Sequence, residues 1–485
     1  MRAHYSAMLS VLGVQLLAVG ALMLTGTAWS WWYRSGDGAA LAASAAVTLA
    51  AGGGMFWLGR GAKPLIDKRE GYVVVVAGWL FMAGFGMLPY LLSGVIPGVT
   101  EAFFETMSGM TTTGASVLDD IEAVPRGILY WRSLTQWIGG MGIIVLTVAL
   151  FPLLGIGGIE LFVAEAPGPT SDKIHPRIRE TAKRLWFLYV GLTALATLLY
   201  WAEGMSFYDA VNHGLTTLAT GGFSTKNASA AYWSDAPLIQ YTMIFFMAVA
   251  GTNYTVLYFL FKRRWRKAMK SDEFKAYLWL LAVLTLAVTA VVYRVSGTDL
   301  ETSFRDSLFQ IVSLITTTGF VSADYTSWTE SLVVVFFVLM FLGACAGSTS
   351  GGIKIVRHLV FFKNSALEFK RLLHPRAIVP LKLNGQLVQS RVMIHILVFL
   401  LIYLMLFVIG TVVVVVLGMD FLSATGAVAT CLGNVGPGIG SVGPLDNFAE
   451  VPAVAKWVLS LLMLLGRLEL FTVLVLLTPY FWRDY

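Results

Sequence analysis

Residues 101–116 read EAFFETMSGMTTTGAS, and the chain returns to this plan three more times. The later copies are DAVNHGLTTLATGGFS at 209–224, DSLFQIVSLITTTGFVS at 306–322 and SATGAVATCLGNVGPG at 423–438. From the opening residue to one glycine, Gly114, Gly222, Gly319 or Gly436, the interval is thirteen positions in every copy. A small residue follows the opening one each time: Ala102, Ala210, Ser307 and Ala424. Each copy is an amphipathic segment shorter than the ~20 residues a membrane crossing needs, followed by a turn rich in glycine and threonine. Long apolar runs flank every copy, so the turns lie at membrane depth. Non-helical backbone is tolerated there only where protein or water satisfies it. Four such turns meeting on one axis would present rings of carbonyl oxygens able to replace a cation's hydration shell. Glycine permits the positive φ that such turns require, and the C-terminal ends of short helices add partial negative charge. Ordinary small-residue packing between helices does not account for four copies at one spacing.

Working outward, ten main apolar spans are expected, at about 8–28, 39–59, 72–96, 128–150, 184–203, 237–261, 276–295, 331–362, 392–418 and 453–479. Of the 485 residues 57% are hydrophobic and 13% charged, against about 25% charged in a soluble domain. This excludes a set of soluble domains, a disordered chain and a coiled coil. The first span has no clear small-residue cleavage site and a second follows at once, so it is expected to remain as a span. Two cysteines, Cys345 and Cys431, give neither a disulfide framework nor a zinc site. The expected fold is an all-α polytopic membrane protein with four repeats of span, short pore helix and span around one pore. Two spans precede them as an N-terminal extension. The expected units are 1–70, 71–165, 166–270, 271–375 and 376–485.

With the N-terminus inside, cytoplasmic stretches carry Arg60, Lys63, Lys68 and Arg69, then Lys173 to Arg184, Lys262 to Lys275 and Lys354 to Lys382. The external stretches carry only Arg34, Arg126, Arg132, Lys226, Arg294, Arg305 and Lys456. Basic residues mark cytoplasmic loops, so both termini are expected in the cytoplasm. The net charge of +6 follows from the same rule and does not imply nucleic acid.

At the four turns the sequence resembles the superfamily of Trk, Ktr and HKT potassium transporters. Thr112-Thr113-Gly114, Thr220-Gly221-Gly222, Thr317-Thr318-Gly319 and Asn434-Val435-Gly436 match that family's degenerate filter, one loop per repeat. In the last repeat Gly433 competes with Gly436. The spacing and the family's N-x-G pattern favour Gly436. The resemblance implies K⁺ as the permeant ion with no bound cofactor, and a homodimer in the bacterial cytoplasmic membrane. It also implies a TrkA-like cytosolic regulatory subunit with nucleotide-binding domains.

The eighth span is interrupted by GACAGSTSGG at 343–352, a composition that does not readily sustain a helix. Unwound backbone there must line a cavity or pack in protein, and the residues alone leave a close-packed kink as the alternative. The resemblance implies a gate beneath the filter, formed by Gly343, Ala346, Gly347, Ser348, Thr349, Ser350, Gly351 and Gly352. Lys354 follows it, towards the cytoplasmic side. Arg467 lies near the middle of the last span, where an arginine costs at least ~2.5–3.5 kcal/mol and must face the bundle interior. Either it forms an interhelical ion pair or its charge stands in the permeation path; the resemblance implies the latter.

Other signals carry less. GIGSVG at 438–443 satisfies G-x-G-x-x-G but follows no strand, and His213 fits a packed pore-helix residue. Asp119, Asp120 and Glu122 either concentrate cations at an external mouth or merely solubilise a loop. No catalytic constellation is present in the sequence, so a transporter is expected rather than an enzyme. A proton- or sodium-coupled symporter is the rival mechanism. It would call for a midplane ionisable residue and usually inverted repeats, whereas these repeats share one orientation.

Overall fold

A computed structural model describes residues 2–60, 68–145, 178–377 and 379–482. Lys63, Lys173 and Arg177, the 165/166 unit boundary and the end of the expected span at 128–150 lie outside the described residues. Among the described residues the architecture is all-helical apart from one small hairpin, Lys382–Leu383 paired with Gln386–Leu387. Helices Arg2–Tyr33 and Gly38–Leu58 pack along each other as an N-terminal pair. Asp37 at their junction accepts the Ile128 N–H at 2.7 Å and fixes the pair to the helix Arg126–Val145.

The four short helices are Val99–Met110, Phe207–Leu218, Leu300–Ile315 and Phe421–Gly433. At 12 to 16 residues and ~1.5 Å per residue they reach only part-way through the hydrocarbon. Three begin on side-chain caps, with Ser206, Asp299 and Asp420 accepting from the N–H groups of Asp209, Thr302 and Ser423. Such caps satisfy donors that the first turn leaves orphaned. Residues in their second halves are almost all buried, because neighbouring helices enclose them on every side.

Six helices among the described residues are long and apolar enough to cross a membrane, and two bent pairs bring the number to eight. The expected spans at 128–150 and 331–362 are the two that fall short. The first runs out of the described residues after Val145. The second is broken as expected, into Glu330–Leu339 and Ile355–Leu373.

The spans expected at 237–261 and 453–479 are not continuous, and this corrects the sequence reading. Pro237–Ala250 and Tyr254–Phe261 meet at 111°, as do Ala453–Arg467 and Phe471–Leu477. At the first break the Asn253 side chain accepts from the N–H groups of Thr255 and Val256 and starts a new helix. At the second, Glu469 and Leu470 take φ of 54° and 57°, left-handed values that end a helix. The apolar flanks outweigh Gly251-Thr252-Asn253 and Arg467-Leu468-Glu469 in any span-length average, so mean hydropathy did not register the breaks.

Several of the basic residues expected on the external side also differ from simple loop charges. Arg132, Arg305 and Lys456 are buried. They pair with Glu105, Glu301 and Glu101 at 2.6, 3.6 and 3.2 Å. Lys456 thus ties the last repeat to the first short helix.

Candidate ion pathway

Each short helix ends in the same backbone turn. Thr112, Thr220, Thr317 and Asn434 have φ of 54°, 54°, 53° and 53°. Their N–H groups bond the carbonyls of Gly109, Thr217, Leu314 and Cys431. The next N–H in each copy reaches back to Ser108, Thr216, Ser313 or Thr430 at 2.8 to 3.0 Å. This is the Schellman helix end, whose left-handed residue is usually glycine. A β-branched threonine there is strained by about 1–3 kcal/mol. Three of these side chains make use of the position. Thr317 Oγ1 accepts the Gly351 N–H at 2.7 Å, Thr220 Oγ1 lies 3.4 Å from Thr349 Oγ1, and Asn434 Nδ2 donates to Thr113 Oγ1 at 3.0 Å.

Two residues on, Gly114, Gly222, Gly319 and Gly436 have φ of 86°, 79°, 81° and 105°. Each sits against a carbonyl of the next turn. A Cβ on Gly114 would lie 2.4 Å from Gly221 O, on Gly222 2.1 Å from Thr318 O, on Gly319 2.1 Å from Val435 O and on Gly436 2.7 Å from Thr113 O. The contacts run first to second, second to third, third to fourth and back to the first, so the turns close a ring. Gly433 is the last residue of its helix, and Gly436 holds the place equivalent to the other three glycines. All four glycines line one cavity of about 190 Å³. Asp119 also lines it, accepting from the Asn447 amide at 2.9 Å. Asp120 is instead held to Asn227, whose amide hydrogen bond keeps its carboxyl below the usual carboxylate range.

The loop 343–352 lies directly behind this ring. Its neck is closed by Gly343 N to Ile353 O at 2.8 Å and Ile355 N to Ala344 O at 3.1 Å. Thr349 Oγ1 donates to Leu218 O at 3.0 Å, at the end of the second short helix. A Cβ on Gly351 would lie 2.7 Å from Gly433 O. The loop therefore touches the second, third and fourth turns. Arg467, 3% exposed, reaches the same loop and the first repeat, donating to Thr349 O at 2.8 Å and Gly139 O at 3.0 Å. No carboxylate pairs with it among the described residues, because Glu469 is engaged by Arg357. Lys354 is buried, and its ammonium donates to the carbonyls of Ser350 and Gly351.

A family model described as TrkH, cation transport protein, matches residues 38–482. The chain belongs to the TrkH family. It is 40% identical over 486 residues to the Trk system potassium uptake protein TrkH of Salmonella typhimurium, covering 99% of this chain and 100% of that one. With the Trk system potassium uptake protein TrkI of Halomonas elongata it shares 38% over 452 residues, 92% of this chain and 91% of that one. The crystal structure of the potassium transporter TrkH from Vibrio parahaemolyticus superposes with a TM-score of 0.89 at 37% identity, covering 99% and 100% of the two chains.

In this TrkH-family chain the turns are braced by residues that the sequence reading passed over. Gln136 donates to Gly221 O at 2.5 Å and accepts the Phe223 N–H at 3.0 Å. Glu105 accepts from Val117 N, Ser116 Oγ and Arg132 Nε at 2.8, 3.0 and 2.6 Å. Arg132 also donates to Ser224 O at 3.1 Å and lies over the Phe223 ring. The only signal in the sequence was a carboxylate inside a short apolar helix. Glu105→Ala should leave a buried guanidinium unpaired, at a cost of about 3–5 kcal/mol. The expected result is a lower unfolding temperature and less monodisperse protein in detergent, with Glu105→Gln less affected. His213 is a packed residue, bonded to Asp209 O at 2.8 Å and Ser224 Oγ at 2.9 Å.

Proposed function

We propose that this TrkH-family transporter takes up potassium by channel-like permeation. The filter is the ring of Thr112, Thr113, Gly114, Thr220, Gly221, Gly222, Thr317, Thr318, Gly319, Asn434, Val435 and Gly436. The observation that carries the reading is the fourfold repetition of one strained turn, closed into a ring by glycine-to-carbonyl contacts. Dehydrated K⁺, and Rb⁺ with it, would exchange water for backbone oxygens there. The loop 343–352 and Arg467 form the gate: the loop packs against three of the four turns, and the guanidinium holds its middle. The distribution of basic residues supports both termini in the cytoplasm of a bacterium. The resemblance, together with the Trk-system names of the relatives, supports a homodimer regulated by a TrkA-like cytosolic subunit.

The energetics suffice without coupling. A potential of about 100 mV supplies ~2.3 kcal/mol per charge, enough for roughly fiftyfold accumulation. The test is ⁸⁶Rb⁺ uptake into proteoliposomes under an imposed potential, with proton and sodium gradients clamped at zero. Accumulation that follows the potential alone is the expected result. Uptake that requires a proton or sodium gradient would replace the channel reading with a symporter.

A further inference from the structure

We propose that Glu273 is the positioning residue that holds the gate loop closed, and that the hairpin containing Asn384 is coupled to it through Asp272. This rests on the reading of the loop 343–352 as the gate. Glu273 stands in the first turn of helix Asp272–Ser296, 8% exposed. One of its oxygens, Oε1, accepts the Ala346 N–H at 2.7 Å and the Val356 N–H at 3.1 Å. These donors lie on the two limbs of the loop's neck. Val356 is in the first turn of Ile355–Leu373, whose own N-cap, Lys354, makes no side-chain cap. A carboxylate from another helix therefore caps this one and binds the opposite limb with the same atom. Charge at a helix N-terminus strengthens the contact.

The neighbouring carboxylate continues the connection away from the loop. Asp272 Oδ2 accepts from Lys363 Nζ and from the Asn384 N–H, both at 3.0 Å. Asn384 Oδ1 in turn accepts the Asp272 N–H at 2.7 Å. Asn384 and Gly385, with φ of 51° and 78°, form the two-residue turn of the hairpin. Two consecutive acidic residues thus join the hairpin tip, the helix Ile355–Leu373 and both limbs of the gate loop. Movement of the hairpin would pull on the first turn of Asp272–Ser296 and loosen the neck.

Cys345 is fully buried beside Ala346 and provides a native reporter. In a Cys431→Ala background it is the only thiol, so its rate of modification by a small methanethiosulfonate reads opening of the neck. Glu273→Ala in the full-length protein should raise that rate about tenfold, the factor set by one charge-assisted hydrogen bond. Basal Rb⁺ flux should rise with it at unchanged K⁺/Na⁺ discrimination. Glu273→Gln, whose amide oxygen still accepts both N–H groups but carries no charge, should show a clearly smaller rise than alanine. Glu273→Asp, one methylene short, should behave like alanine and serves if the alanine variant does not fold. Asn384→Ala should show a smaller increase; a wild-type rate there would remove the hairpin from the proposal. Folded Ala or Asp variants with a wild-type labelling rate would overturn the role of Glu273, whatever the flux. Faster labelling with unchanged flux would instead leave Glu273 as the anchor and overturn the loop as gate.

Discussion

Replacing Gly319 or Gly222 by serine should reduce K⁺/Na⁺ discrimination at least about tenfold and lower K⁺ uptake. At both positions a Cβ would come within 2.1 Å of a carbonyl oxygen in the next turn, and φ near 80° already disfavours any side chain. Left-handed strain of about 1–3 kcal/mol and overpacking of about 1–3 kcal/mol fall on the same atoms. The ring must spread or tilt a carbonyl, and each ~1.4 kcal/mol is a factor of ten. Gly436→Ser should be the mildest of the four, because its contact to Thr113 O is 2.7 Å. Gly433→Ser acts at the helix end rather than at the ring position. Relative Rb⁺ and Na⁺ fluxes in proteoliposomes decide the matter. Unchanged discrimination in all four ring variants would sink the filter assignment, and an effect at Gly433 alone would move the register.

Arg467→Ala should raise basal flux by an order of magnitude or more. The guanidinium bonds Thr349 O and Gly139 O, so its removal frees the middle of the loop from the first repeat. Hydrogen bonds to charged groups are worth about 1.5–3 kcal/mol each, and on the proposed pathway a fixed positive charge is lost as well. The alternative of an interhelical ion pair predicts poor folding, because a buried acid would be orphaned. Among the described residues no carboxylate pairs with Arg467, and the acid nearest in sequence, Glu469, is engaged by Arg357. Arg467→Lys keeps the charge but not the planar fork that reaches two carbonyls, and its flux should fall between the two. Reduced flux with a low yield of folded protein in the alanine variant would make Arg467 a scaffold residue.

The repeat was legible because its information is local. A helix end of this type is built from bonds between residues three and five apart, such as Thr112 N to Gly109 O and Thr113 N to Ser108 O. Four copies therefore leave four copies of one spacing in the chain. The broken eighth span was legible for a similar reason, since its glycines and hydroxyl residues are contiguous. The breaks near Asn253 and Glu469 were not. Asn253 also donates to Ala346 O, 93 residues away, and Glu469 meets Arg357 across 112 residues. Nothing in the hydropathy of either span marks such partners.

By itself the sequence determined an all-helical membrane chain, its four short helices, the position of each turn and a non-helical loop in the third repeat. These follow from hydrophobic length and from backbone geometry within a few residues. The order of the turns around the ring, Gln136 and Glu105 behind them, and the partners of Arg467 and Glu273 were decided only by the tertiary structure. A buried polar group bonds whatever donor or acceptor the packed helices bring to it, and that choice is made between repeats rather than along the chain.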